Sequence, residues 1–172
     1  MNNLKVNLDN VRARVALACE RAGRDPAEVR ILAVSKKHSV ERIHTLYELG
    51  QSWFGENYVQ EAMAKIECSG NRAIEWHFIG PLQSNKTREI AQNFHWVQSV
   101  DRDKILRRLS SQRPEELPDL NICIQVNIDL EPQKAGVMPD RLAEIMDTAL
   151  SLPRLRLRGL MAIPKAGSDQ HD

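Results

Sequence analysis

The sequence predicts an α/β protein built on a parallel sheet, and three observations carry that expectation. Short, almost wholly apolar runs recur along the chain. Each is followed by a segment whose apolar residues fall three and four apart. The two patterns alternate from end to end, without a low-complexity tract, a long linker or an internal sequence repeat.

The first element is helical. Leu4, Leu8, Val11, Val15, Ala18 and Cys19 recur at helical spacing, with Lys5, Asp9, Arg12, Arg14 and Glu20 between them, and Gly23 marks the end. Asp25-Pro26-Ala27-Glu28 then reads as a capped turn, with Asp25 as cap, Pro26 at the first helical position and Glu28 completing a capping box. At Arg30–Lys36 the period changes. This run is apolar enough for a parallel strand covered on both faces.

The later strands are expected at Trp53–Asn57, Trp76–Gly80, Phe94–Val100, Leu120–Ile128 and Leu155–Ile163. Between them lie helical patterns carried by Val40, Ile43 and Tyr47; by Ala62, Met63 and Ile66; by Thr87 to Ala91; by Ile105, Leu106 and Leu109; and by Leu142, Ile145, Met146 and Ala149. Six strands leave two architectures open, a doubly wound open sheet or an incomplete (β/α)8 barrel. No G-x-G-x-x-G or G-x-x-x-x-G-K-[ST] occurs, so the open sheet lacks its usual nucleotide-binding signature. A barrel takes ~250 residues, about 200 at the lower end, and 172 is short of that by about two βα units. The last strand is followed directly by a polar stretch, Lys165 to Asp172.

Composition narrows the function classes. With 24 Lys+Arg against 23 Asp+Glu the formal net charge is +1, which argues against wholesale electrostatic binding to nucleic acid or an anionic membrane. At 42% hydrophobic and 27% charged residues the chain is globular in character, and its length suits one domain over residues 1–172. Cys19, Cys68 and Cys123 form neither a disulfide framework nor a zinc-binding spacing. The N-terminal segment has no apolar core of the signal-peptide kind. A cytoplasmic protein without a membrane span is expected.

Ligands of both architectures bind where the strands run out at their carboxyl ends, and here those ends are polar: Ser35-Lys36-Lys37, Glu56-Asn57-Tyr58, Gly80 to Lys86, and Met161-Ala162-Ile163-Pro164, with Gln125 and Asn127 on one face of the fifth strand. Lys36 shares a face with Leu32 and Val34. Burial there, together with the neighbouring charge of Lys37, would lower the pKa of its ammonium and free an amine for attack on an aldehyde. The alternative is that both lysines reach into solvent from a strand end.

Four segments resemble a known family: LAVSK at 32–36, FGENYVQE at 54–61, WHFIGPLQSNK at 76–86 and LRGLMAIP at 157–164. They are similar to the signatures of the pyridoxal 5′-phosphate homeostasis proteins, and the resemblance spans essentially the whole chain. It implies a (β/α)8 TIM barrel of the alanine racemase N-terminal type, with about six of eight βα units present. It implies pyridoxal 5′-phosphate held as a Schiff base, an internal aldimine, on Lys36. It also implies a cytoplasmic role in vitamin B6 homeostasis as a carrier or regulator without catalytic turnover, with pyridoxal-phosphate-dependent apoenzymes as partners and a monomer or weak dimer as the assembly.

By the same resemblance, Asn57 lies beside the cofactor ring and Met161 lines the floor of the site. His77 and Lys134 are further candidates, His77 from within the third strand and Lys134 from the loop after the fifth. Residue type alone also allows a turn cap for Asn57, core packing for Met161, a hydrogen-bonded core histidine at 77 and a solvated lysine at 134. Family members continue beyond this length with a Met-Gly-Met-Ser-like loop and an Arg-Ile-Gly-like turn that hold the cofactor phosphate. Weakened cofactor affinity and two exposed edge strands are therefore expected of this chain.

Other functions were weighed against this one. An amino-acid racemase using the same cofactor needs a base on each face of Cα; Tyr47 falls in a helical pattern and Tyr58 just past the second strand. A nucleic-acid or protein interaction module would rest on Arg154, Arg156 and Arg158 and on Arg107, Arg108 and Arg113, but the first run alternates with Leu155 and Leu157 as the exposed start of a strand does. A cofactor-free aldolase would need an acid or base beside the lysine, and Glu56 is the carboxylate at a strand end.

Overall fold

The computed structural model describes residues 2–131 and 134–164. The polar stretch 165–172 and the loop residues Pro132 and Gln133 lie outside that range. Helix α1 (Asn2–Arg21) precedes five strand–helix units: β1 (Ala33–Val34) and α2 (Val40–Glu48), β2 (Trp53–Glu56) and α3 (Val59–Ser69), β3 (Glu75–Phe78) and α4 (Thr87–Asn93), β4 (Trp96–Val100) and α5 (Asp103–Gln112), β5 (Leu120–Val126) and α6 (Leu142–Ser151). Strand β6 (Leu155–Ala162) completes the described elements.

All neighbouring strands are parallel, and their order in the sheet is their order in the chain. A doubly wound sheet reverses its strand order at a switch point. An unreversed order with right-handed crossovers puts every helix on one face, as in a (β/α)8 barrel. The sheet is not closed, and β1 and β6 are its edges.

Alternation along the strands separates two layers. Phe54, Trp76, Phe78, Val97, Leu120, Ile122 and Ile124 form one buried core with Ile43, Ala62, Ile90, Ile105, Leu106, Leu109 and Ile145 from the helices. The opposite, inner face carries a row of flat side chains running across the strands. The Arg30 guanidinium lies 4.7 Å from the Trp53 ring centre, Trp53 is 4.8 Å from His77, His77 stacks on Trp96 at 5.2 Å and 11°, and Arg158 covers Trp96 at 5.6 Å. Such cation–π and stacked contacts each contribute about 0.5–1.5 kcal/mol where water is excluded.

The structure departs from the sequence expectations at several points. Val11 is 41% exposed, and its place on the buried face of α1 is taken by Arg12, whose guanidinium donates to the Leu49 carbonyl at the end of α2. Asp25 caps as expected, accepting from the Ala27 N–H at 2.9 Å, but Glu28 faces Arg24 instead of completing a capping box. The first strand shrinks to Ala33–Val34 because only these residues find ladder partners on β2. The arginines are taken up individually: Arg113 is buried and donates to the carbonyls of Ala91, Phe94 and Pro118, Arg108 to Thr87, and Arg154 to the Ser110 carbonyl and Glu115.

Candidate functional site

Register fixes what meets at the carboxyl end of the sheet. Val34 pairs with Gly55, and the Ser35 N–H continues the ladder to the Gly55 carbonyl at 2.9 Å. Two residues beyond that pair stand Lys36, in the turn after β1, and Asn57, just past the end of the neighbouring β2. Gly55 leaves room for two side chains: a Cβ there would come 3.0 Å from Ile79 Cδ1 and 3.3 Å from Leu32 Cδ2.

Lys36 is exposed. The burial on which the sequence argument for its activation relied is not observed, because the strand has already ended and a turn begins. The Ser35 carbonyl accepts from the His38 N–H at 3.0 Å, closing a four-residue turn with Lys36 at its first corner. Lys37, at the second corner, has φ 61°. That is the left-handed conformation a type II turn requires and a lysine adopts only at some expense.

Asn57 is held from its far side. A Cβ on Gly80 would stand 2.1 Å from the Asn57 carbonyl oxygen, so the two backbones touch. The Ile79 N–H donates to the Glu56 carbonyl at 2.9 Å, and Ser99 Oγ donates to the Gly80 carbonyl at 2.6 Å. Asn57 Oδ1 is buried and has no hydrogen-bond partner among the described residues. A buried acceptor without a donor is rare enough to mark a place where a ligand or water donates.

A group of residues on the outer face supports this corner. Glu56, fully buried, accepts from Ser35 Oγ at 2.6 Å and from Lys65 Nζ at 2.7 Å through the same Oε1. Lys65, 6% exposed, also donates to the Ser35 carbonyl and to Glu61 Oε1, both at 2.7 Å. Glu61 accepts in addition from the Lys37 N–H. Partial burial pushes the Glu61 carboxyl up, but the hydrogen bonds from Lys65 and the Lys37 N–H outweigh it, so its pKa lies below the usual carboxylate value. Sequence reasoning missed Lys65, which reads as an ordinary polar residue of an amphipathic helix. Glu56, the acid or base required by an aldolase, is turned away from Lys36 and committed to Lys65 and Ser35.

His77 pairs in register with Gly55, one layer beneath Lys36 and Asn57. Its Nδ1 faces the Gln98 amide nitrogen at 2.9 Å, so Nδ1 accepts and Nε2 carries the proton. Burial first, then nearby His95, lowers its pKa to about 3. Nε2 has no partner among the described residues.

The other two candidates stand at the far edge of the sheet. Met161 on β6 pairs with Gln125 on β5. Lys134 is ion-paired with Asp129 and with Glu131 at 3.6 Å, and the hydrogen bond to Asp129 raises its pKa. It lines a cavity of about 190 Å³ with Gln125, Asn127 and Ile163. Lys36 and Asn57 thus follow the neighbouring strands β1 and β2, whereas Lys134 follows β5 and Met161 lies on the opposite edge strand, β6. Among the described residues there is no cluster suited to a metal ion and no helix long and apolar enough to cross a membrane.

Comparison with known proteins agrees with this architecture. The family model "Alanine racemase, N-terminal domain" matches residues 6–172. The pyridoxal phosphate homeostasis protein of Pseudomonas aeruginosa is 48% identical over 170 residues, covering 99% of this chain and 74% of that protein. Its Escherichia coli K12 counterpart is 48% identical over 172 residues, at 98% and 74%. Among solved structures, PipY of Synechococcus elongatus with PLP bound is 38% identical, with a TM-score of 0.74 over 91% of this chain and 72% of that one. A Bifidobacterium adolescentis protein reaches a TM-score of 0.90 at 28% identity over 98% and 72%. The alanine racemase of E. faecalis, at 14% identity and a TM-score of 0.65 over 90% of this chain and 42% of that one, shares the fold. An unreversed parallel sheet with a lysine ending its first strand, matched along nearly its whole length at close to half identity, places this chain in the pyridoxal phosphate homeostasis protein family.

Proposed function

We propose that this chain binds pyridoxal 5′-phosphate and serves its intracellular homeostasis, with Lys36 as the residue that bonds to the cofactor aldehyde. The observation that carries the reading is the buried Asn57 amide oxygen, without a donor among the described residues, at the carboxyl end of β2, the neighbour of the strand that leads into the exposed amine of Lys36. The residues suit the ring and aldehyde end of the cofactor. When bound, pyridoxal phosphate supplies an electrophilic aldehyde conjugated to an electron-withdrawing ring. Lys36 presents the amine from the turn corner, Asn57 Oδ1 accepts a hydrogen bond from the ring or its substituents, and Gly80 keeps Asn57 in place. His77 forms a neutral floor beneath them. Met161 and Lys134 join the site if the two edges of the sheet approach across a closed barrel.

On this reading residues 1–172 form one barrel domain with six of eight strands, and the phosphate is held by loops of the kind barrels place after strands seven and eight. The role is that of a carrier in the cytoplasm, working with pyridoxal-phosphate-dependent apoenzymes, as a monomer or weak dimer. Racemisation would need a second base opposite Lys36. The Tyr47 hydroxyl is engaged in the helical layer, accepting from the Ala73 N–H, and Tyr58 stands at the start of α3.

Adding pyridoxal phosphate, reducing with borohydride and mapping the modified peptide tests the assignment. Modification concentrated on Lys36 is expected, and scattered labelling of surface lysines refutes it. Incubation with L-alanine in deuterated water separates the enzyme reading, which requires steady exchange of the Cα proton.

A further inference from the structure

We infer that Lys65 and Glu61 are positioning residues for Lys36, clamping the backbone on both sides of it; this rests on the assignment of Lys36 proposed above. The ammonium of Lys65 has three N–H donors, and all three are used: on the Ser35 carbonyl, on Glu56 Oε1 and on Glu61 Oε1, each at 2.7 Å. The Ser35 carbonyl belongs to the peptide unit immediately before Lys36. The Lys37 N–H, immediately after it, donates to Glu61. One turn of α3 therefore grips both peptide units that flank the reactive side chain, while Lys36 itself remains exposed.

Two features set this apart from an ordinary ion pair. Burying a carboxylate and an ammonium is expensive, and an apolar pair of the same volume is often as stable, so the pair is poorly explained as a source of stability. It supplies a specific geometry instead, as buried polar groups do in some folds. The turn it holds is also one the local sequence does not favour: Lys37 lies at φ 61°, where glycine or asparagine is usual. Such a conformation persists when its surroundings over-determine it. Without the clamp, the Ser35–His38 turn can relax and the backbone that carries Lys36 loses its fixed geometry.

The test uses the protein as it stands, comparing wild type, Lys65→Met, Glu61→Ala and Glu61→Gln. The first readout is the rate and selectivity of Lys36 modification by pyridoxal phosphate and borohydride. The second is the visible circular dichroism of the bound cofactor, which reports its orientation and which a general loss of stability in a folded protein does not move. Lys65→Met and Glu61→Ala are expected to slow Lys36 modification about tenfold, the scale of one charge-assisted hydrogen bond, and to flatten the visible band. Glu61→Gln keeps an oxygen for the Lys37 N–H and is expected to retain most of both signals. Unchanged labelling and an unchanged band in folded Lys65→Met and Glu61→Ala would overturn the inference. If Lys65→Met does not fold, Glu61→Ala decides alone, since Glu61 lies near the surface. Absence of Lys36 modification in the wild type would instead refute the function on which the clamp depends.

Discussion

Replacing His77 by phenylalanine removes one titrating group from the middle of the inner face while keeping a flat ring between Trp53 and Trp96. In the folded protein the imidazole has a pKa of about 3, because burial penalises its charged form and the nearby His95 adds to the effect. In the unfolded chain it titrates near its ordinary value of about 6.5. The unfolded state therefore binds more protons below that value. The neutral imidazole's contribution is fully present above pH 6.5 and is lost progressively as pH falls towards about 3. Each unit of difference is worth about 1.4 kcal/mol, so between pH 7 and pH 5 the wild type should lose about 2 kcal/mol through His77 alone.

His95 is present in both proteins, so the difference between them reports His77 together with its coupling to His95. Urea unfolding followed by tryptophan fluorescence at pH 7, 6 and 5 gives the two stabilities, and wild type should lose about 2 kcal/mol more than His77→Phe across that range. Parallel pH dependence of the two proteins, within about 0.5 kcal/mol, would refute the reasoning. So would an imidazole resonance of His77 titrating with a midpoint above about 5.5.

Three further outcomes follow from the site. Gly80→Ala puts a methyl 2.1 Å from the Asn57 carbonyl oxygen, where only backbone could yield; it should destabilise by about 1–3 kcal/mol in urea melts and weaken pyridoxal phosphate binding as well. Asn57→Leu removes an oxygen that has no partner among the described residues, so stability should change by less than about 1 kcal/mol while the dissociation constant for pyridoxal phosphate, read by absorbance titration, rises about tenfold. Lys36→Ala, at an exposed turn corner, should leave the urea midpoint within about 0.5 kcal/mol and abolish the borohydride-fixed adduct.

Much of the chain can be read locally. Apolar runs such as Trp53–Asn57 and Leu120–Ile128 become strands that differ by one or two residues at one end, because period-two and period-3.6 patterns are properties of near neighbours. The exceptions occur where a distant partner intervenes. Val11 has the right spacing for the buried face of α1, yet Arg12 takes that place because the Leu49 carbonyl at the end of α2 offers it an acceptor. Lys36 was legible as a lysine at a strand mouth. Whether it is buried or reaches into solvent is open in the sequence, and the ladder ending at Val34 leaves it exposed.

The site shows the same division. Alternation along one strand predicts Lys36 on the face of Leu32 and Val34, but only the pairing of Val34 with Gly55 shows that the strand leading to Asn57 is its neighbour. In sequence Lys65 looks like half of an ordinary i,i+4 pair with Glu61, because its other two acceptors come from β2 and from the Ser35 carbonyl thirty residues earlier. By itself the sequence determined the alternating elements, the α/β class and, through its motifs, the lysine that follows the first strand. The tertiary structure decided the unreversed strand order, the aromatic row around His77 and the clamp on Lys36. These depend on register and close approach between residues far apart in the chain, which no local periodicity encodes.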